Sequence, residues 1–187
     1  MGALLTDLLL RAQRSQRLVA LQAAGDTYLG YVIGHNADLL LLRSITRQGT
    51  VTGVRSLSLH EVTQVYFDDQ YVRLIEFKEQ HPEAVFGLAA APDGLDPLEL
   101  SVPALLQRAL ETHQLVQLVT TNSNNDPYGY VVRLGEEELL LEAYTAFGEA
   151  DGHTLLRVDD VRSLVWSDED TRTIELLLKR RAAREQS

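Results

Sequence analysis

The chain lacks cysteine altogether, and its 187 residues include only one methionine and one tryptophan. Without cysteine it can form no disulfide, no thiolate metal site and no cysteine nucleophile. It also lacks an apolar run long enough to span a bilayer, and its first residues lack the basic stretch of a signal peptide. We therefore expect a cytoplasmic chain with no membrane partner.

Motifs that carry chemistry are missing as well. The sequence contains no complete phosphate-binding glycine loop, no Gly-x-Ser-x-Gly elbow and no pair of histidines at metal-binding spacing. Carboxylates cluster at residues 136–138, 159–160 and 168–170. We interpret them as solvated turns, with a weak divalent-cation site at residues 168–170 as the alternative. We expect no catalytic residue, no metal and no cofactor, and hence no enzyme.

Basic residues are scarce, since 17 lysines and arginines face 27 aspartates and glutamates for a net charge of −10. The deficit is uneven: residues 1–78 carry 8 basic and 7 acidic side chains, whereas residues 102–178 carry 5 and 14. A chain that binds a phosphate backbone usually has the opposite sign. The charge therefore argues against DNA as a partner and predicts that RNA binding is weak or absent.

The sequence does contain an internal repeat. From Gly30 to Lys78 it aligns without a gap to residues 129–177, and fifteen positions are identical. Upstream the offset falls from 99 to 97, and the two-residue difference lies between Gln22 and Tyr28, where a turn is expected. Insertions confined to turns are typical of true structural repeats. We therefore predict two copies of one module.

Each copy is predicted to begin with a helix and to continue as short strands. Apolar residues at helical spacing form one stripe in copy one, and Ser101 and Pro103 suit the start of the second helix. Alternating apolar residues and turn residues predict the strands of copy one as Leu18–Leu21, Tyr28–Ile33, Leu39–Ile45, Val54–Leu59, Thr63–Phe67 and Tyr71–Phe77.

The repeat also predicts the domain boundaries. Copy one occupies residues 1–78 and copy two residues 102–179. Between them, residues 79–101 carry five acids, three prolines and neither lysine nor arginine, which indicates an exposed linker. Residues 180–187 form a basic tail.

A short helix, a bent strand containing glycine and a small closing barrel together resemble the Sm-like fold. The residues that carry the resemblance are Val19–Leu21, Gly30–Ile33, Leu39–Leu42, Gly53 and Leu57–Val62. It implies a mostly β chain with short helices: tandem Sm-like or SH3-like small β-barrels, each preceded by a helix. It also implies that copies pair into oligomers, many of which bind RNA.

The positions that hold RNA in Sm-like proteins carry other residues here. By the resemblance, the base-holding Asn corresponds to Leu40 and Leu139, and the later Arg-Gly pair to residues 60–61 and 159–160. Bacterial members use a Lys-His pair at the later turn. His60 matches that histidine by spacing, but Leu59 replaces the lysine. The implied fold is kept, whereas the implied RNA site is weakened.

One basic patch is left as a candidate site. Arg43, Arg47 and Arg55 flank the predicted third and fourth strands of copy one and, with His60, form the candidate anion- or RNA-binding set. Ordinary strand-edge charges are the alternative.

We interpret the chain as a non-enzymatic binding or assembly module that acts through protein–protein contacts. The partner includes the chain itself, with the near-neutral copy one meeting the acidic copy two either within the chain or head to tail between chains. The alternative is an Sm-like RNA-binding regulator that acts through copy one.

Overall fold

The structure, a computed structural model, describes residues 3–87, 100–121 and 126–186. The chain divides into two compact units, Met1–Pro82 (unit 1) and Glu83–Ser187 (unit 2). Most of the predicted linker, residues 88–99, lies outside the described residues. The predicted basic tail belongs to a helix that runs to Glu185.

Unit 1 consists of a helix, five strands and a second helix. In chain order these are α1 (Ala3–Ser15), β1 (Leu18–Ala23), β2 (Asp26–His35), β3 (Leu39–Ile45), β4 (Val51–Ser58), a 3₁₀ turn (Leu59–Glu61), β5 (Val62–Phe67) and α2 (Gln70–Gln80). The strands form one antiparallel sheet in the order β4-β3-β2-β1-β5.

Unit 2 repeats this order after a short helix, α3 (Pro82–Phe86), at the boundary between the units. Its elements are α4 (Val102–Thr112), β6 (Leu115–Thr120), β7 (Tyr128–Leu134), β8 (Glu138–Tyr144), β9 (Ala150–Arg157), a 3₁₀ turn (Val158–Asp160), β10 (Val161–Val165) and α5 (Glu169–Glu185). The sheet order is β9-β8-β7-β6-β10, which matches that of unit 1 strand for strand. Within the described ranges, no helix combines the length and the apolar character needed to cross a membrane.

Backbone irregularities recur at the offsets found in the sequence. The register of the second strand shifts between Val32 and Gly34 in unit 1 and between Val131 and Arg133 in unit 2. Non-glycine residues with positive φ also correspond, at Gln16 (48°) with His113 (47°), and at Asp68 (62°) with Ser167 (57°). Such conformations are uncommon, so their recurrence is consistent with duplication.

The glycine in the second strand has a steric role in both units. A Cβ at Gly30 would lie 2.7 Å from the carbonyl oxygen of Arg43, and one at Gly129 would lie closer still to that of Glu142. Real side chains cannot approach a backbone oxygen so closely. The glycine therefore allows the backbone of the third strand to approach that of the second closely.

The sheet of unit 1 is covered by one helix on each face. On one face, Leu9 and Ala12 of α1 pack against a core formed by Val19, Leu21, Val32, Leu40, Leu42, Leu57 and Leu59. On the other face, Val72 and Ile75 of α2 pack against Leu18, Ala20, Leu29 and Ile45. We call these the α1 face and the α2 face. Burying one such aliphatic side chain contributes about 1.5–3 kcal/mol.

The prediction of a sixth strand at Tyr71–Phe77 is wrong, because this segment lies in α2. Asp69 caps the helix, its carboxylate accepting a hydrogen bond from the Val72 amide at 2.7 Å. Val72 and Ile75 then stand one turn apart on the buried side. The chain is therefore mixed α/β rather than mostly β, with two five-stranded antiparallel sheets, each preceded and followed in the sequence by a helix.

Candidate functional site

The structure does not gather the predicted arginines on one surface. Arg43 pairs with Tyr31 across β3 and β2, and its guanidinium carbon lies 4.7 Å from the centre of the tyrosine ring. Arg55 pairs with Leu42, which belongs to the core under α1, and it lies over the ring of Tyr28. Residues paired across an antiparallel sheet project to the same face, and neighbours along a strand to opposite faces. Arg43 and Arg55 therefore project from opposite faces.

Arg47 and His60 lie at opposite ends of β3. Arg47 is exposed in the turn that follows the strand. His60 lies in the 3₁₀ turn after β4, and its Nε2 is 3.2 Å from Oδ1 of Asp38, the residue that precedes β3. The four candidate residues thus occupy at least three separate places in unit 1.

In the turn between β2 and β3, the Asn36 side chain forms hydrogen bonds within the turn itself. The side-chain oxygen of Asn36 accepts hydrogen bonds from the backbone amides of Asp38 and Leu39, each at 2.8 Å. Leu40 and Leu59 are buried in the core under α1. Of the unit 1 positions that correspond by the resemblance to RNA-contacting ones, Leu40 and Leu59 therefore fill the core, whereas His60 and Glu61 are exposed.

The same end of unit 2 is acidic. The Val158 amide donates to the carbonyl of Glu137 at 2.9 Å, which brings residues 136–138 close to residues 159–160. All five of these side chains are exposed carboxylates. Across the described residues, no group of three His, Asp or Glu side chains is placed to hold a metal ion. In the third acidic cluster, Asp168 accepts a hydrogen bond from the Thr171 amide at 2.9 Å and thereby caps α5.

An exposed apolar surface lies on the α2 face of unit 1. On β3 this face includes Ile45, which is buried, and Leu41 and Leu39, whose side chains are 41% and 48% exposed. On the neighbouring strand Val54 pairs with Arg43 and is 68% exposed. We call Leu39, Leu41, Arg43 and Val54 the open face of unit 1. It presents three apolar side chains around one cation at the side of the sheet that ends in the edge strand β4.

The equivalent surface of unit 2 differs in its charge. Across β8 and β9 it pairs Leu140 with Leu155 and Glu142 with His153, and Glu138 begins β8. Leu155 is 62% exposed. Arg157 pairs with Glu138 and is exposed as well. We call these six residues the open face of unit 2. It keeps an apolar centre, but Glu138 and Glu142 stand where unit 1 has Leu39 and Arg43.

Sequence reasoning missed both open faces. The signal was the run Leu39–Leu42, which in a strand must place two leucines on each face. One pair, Leu40 and Leu42, fills the core, and the other pair would be covered only if α2 reached it. The sequence predicts a strand for the segment that forms α2, so it gives no position for this helix on the sheet.

Three half-buried tyrosines lie beside these faces or near the helix caps. Burial, with a hydrogen bond to Glu79, raises the pKa of Tyr31 far above its ordinary value. Burial and the nearby Glu175 raise the pKa of Tyr130 to about 12, and burial and Asp170 do the same for the pKa of Tyr128. All three phenols are therefore neutral near pH 7 and act as packed groups rather than as acids or bases.

The chain matches no protein-family model, no curated protein and no solved structure. The functional interpretation therefore depends on the geometry of the two units and their open faces.

Proposed function

We propose that the chain is a non-enzymatic assembly module, built from two Sm-like barrels, that acts through protein–protein contacts. The observation that carries the proposal is the open face of unit 1, where Leu39, Leu41 and Val54 are each at least 41% exposed. Single exposed apolar residues are common on soluble proteins, but neighbouring ones on a sheet are typical of interaction sites. Arg43 adds a charged group that can orient a partner.

The order and connection of the strands support the barrel part of the proposal. Strands β4 and β5 are the two edges of the sheet, yet only residues 59–61 connect them. Four interstrand spacings of about 4.8 Å would separate the edges of a flat sheet by about 19 Å. The connection reaches at most about 15 Å when fully extended, and a 3₁₀ turn is shorter. A curled sheet, as in a small barrel, relieves this mismatch.

The contacts of the predicted basic set favour protein over RNA as the partner. Arg43 and Arg55 project from opposite faces, so one nucleic acid strand lying on a single face meets only one of them. In unit 2 five exposed carboxylates occupy the end that corresponds to the 3₁₀ turn carrying His60. Phosphate groups would be repelled there.

The mass of the chain in solution tests this proposal. We expect light scattering after size exclusion to give more than the 20.9 kDa of one chain, and to do so increasingly from about 1 to 100 µM. The double variant Leu41→Thr/Val54→Thr should shift the mass towards 20.9 kDa, because it removes apolar area from the open face while keeping strand-favouring residues.

Leu4→Gln provides the matched control. Leu4 is 86% exposed on α1, away from the open face, so its replacement should leave the mass unchanged. A wild-type chain that stays at 20.9 kDa throughout would contradict self-assembly.

A further inference from the structure

The two open faces of the chain are complementary in charge at equivalent positions. Arg43 and Glu142 occupy the same place in their units, each paired across the sheet with a tyrosine, Tyr31 and Tyr130. Arg43 is exposed with its guanidinium held over the Tyr31 ring. Glu142 is half-exposed and accepts a hydrogen bond from the Tyr144 hydroxyl at 3.0 Å. Both charges therefore have defined positions on their faces.

The apolar parts of the two faces are also suited to each other. Unit 1 offers Leu41 and Val54 beside Arg43, and unit 2 offers the cross-strand pair Leu140 and Leu155 beside Glu142. An apolar centre bordered by charged groups is typical of protein interfaces. A contact between two copies of the unit 1 face would instead bring two arginines onto one small surface.

We propose that the open face of unit 1 in one chain binds the open face of unit 2 in a second copy of the chain. The proposal rests on the assembly function proposed above and names its partner and its surfaces. Leu41 and Val54 pack against Leu140 and Leu155, while Arg43 pairs with Glu142 of β8. Because the two faces in each contact are different surfaces, the chains associate head to tail. The rotation between successive chains decides whether they form a closed ring or an open filament.

Charge reversal tests the proposal. Arg43→Glu brings acidic groups together across the contact, and Glu142→Arg brings two arginines together. Each variant alone should raise the dissociation constant by roughly tenfold or more, because like charges across an interface are costly. An equimolar mixture of the two full-length variants should recover the wild-type mass. In the mixture, the acid introduced into one chain at position 43 meets the base introduced into the other at position 142, and the unchanged Arg43 and Glu142 meet as well.

Recovery in the mixture separates a contact between chains from one within a chain. A contact within one chain would be restored in the double variant but not by mixing, and that result would overturn the proposal. Arg47→Glu and Glu136→Arg serve as matched controls, because both side chains are exposed in turns outside the open faces. Thermal unfolding followed by circular dichroism shows that each variant is folded.

The remaining outcomes distinguish the two proposals. If the wild-type chain assembles and both charge-reversal variants assemble equally well, this interface is wrong while the assembly function stands. If the wild-type chain is monomeric at every concentration, both fail.

Discussion

The two units share one fold but stabilise the junction between the first helix and the sheet differently. In unit 1 the Arg17 Nε donates to both carboxylate oxygens of Glu76 at 3.0 and 3.1 Å, and its Nη2 donates to Asp68 at 2.9 Å. In unit 2 the positions of Arg17 and Asp68 carry Gln114 and Ser167, joined by one hydrogen bond of 3.4 Å. An ionic network in one copy is thus a neutral contact in the other.

This difference shows which features the fold requires. Both copies keep the positive φ at the end of the first helix and before the last one, although the side chains there have changed from Gln16 to His113 and from Asp68 to Ser167. Both also keep an aspartate cap, Asp69 or Asp168, on the last helix. The two copies therefore share backbone conformation and helix capping, and they differ in the charge of the side chains at this junction.

Substituting Arg17 in unit 1, compared with Gln114 in unit 2, should change the free energy of unfolding more than any substitution outside this junction proposed below. Arg17→Ala leaves Glu76 buried with only the Leu18 amide, at 2.7 Å, among its described partners, so we expect a loss of about 1–3 kcal/mol in the free energy of unfolding of unit 1. Gln114→Ala removes one long hydrogen bond and should cost unit 2 less than about 1 kcal/mol. Hydrogen exchange measured by mass spectrometry reports the two units separately.

The double variant Arg17→Gln/Asp68→Ser sharpens the comparison by giving unit 1 the residues of unit 2. If the cost comes from leaving the buried Glu76 carboxylate without its arginine, this variant should lose as much stability as Arg17→Ala. Exchange rates in unit 1 that stay at the wild-type level in both variants would show that the network contributes nothing measurable.

The duplication could be predicted from the sequence because the two copies share identical residues and the gap between them is confined to a turn. Five of the six strands per copy and the first helix follow from local apolar patterns. The last element was mispredicted because the residues from Tyr71 to Phe77 carry apolar groups on both faces, although the aspartate identical in both copies at its start is a helix cap.

The candidate site was less predictable because it depends on register. The observed register pairs Arg43 with Val54 and Leu42 with Arg55, which places the two arginines on opposite faces. A register different by one residue would have paired Arg43 with Arg55 on a single face. Nothing in the two strand sequences distinguishes these pairings until the core residues are known. The open faces likewise depend on how far α2 extends over the sheet, which is a tertiary property.

Alkaline unfolding should distinguish the tyrosines of the two units. The pKa of Tyr130 is raised to about 12 by burial and nearby carboxylates. A raised folded pKa stabilises the fold fully below the unfolded value near 10, and the contribution is lost as pH rises towards 12. We expect the wild-type chain to lose stability between about pH 10 and 12 more steeply than Tyr130→Phe, measured by urea unfolding.

The equivalent Tyr31→Phe variant provides the comparison. The pKa of Tyr31 is raised further by burial and because its hydroxyl donates to Glu79, so its contribution should be lost at higher pH than that of Tyr130. Absorbance of tyrosinate at alkaline pH would report the order in which the two ionise. Ionisation of Tyr31 before Tyr130 would contradict the assigned environments.

RNA binding should show the smallest effect of the three. Each phosphate contact to a single strand contributes a salt slope of about 0.7, and the arrangement of Arg43, Arg47 and Arg55 allows one face at most two of them. The slope should therefore be no more than about 1.4, where three co-facial arginines would give about two. Fluorescence anisotropy with labelled single-stranded RNA at several salt concentrations measures it.

The same titration tests RNA, the alternative to protein, as a proposed partner of the chain. Arg43→Glu/Arg47→Glu should abolish the residual RNA binding, whereas Glu136→Arg in unit 2 should strengthen it slightly, because Glu136 belongs to the acidic end that repels phosphate. Sequence preference should be poor, since Leu40, which corresponds only by the proposed resemblance to the base-holding asparagine of Sm-like proteins, is buried. Tight, sequence-selective binding that survives the double change would place RNA ahead of protein as the partner of unit 1.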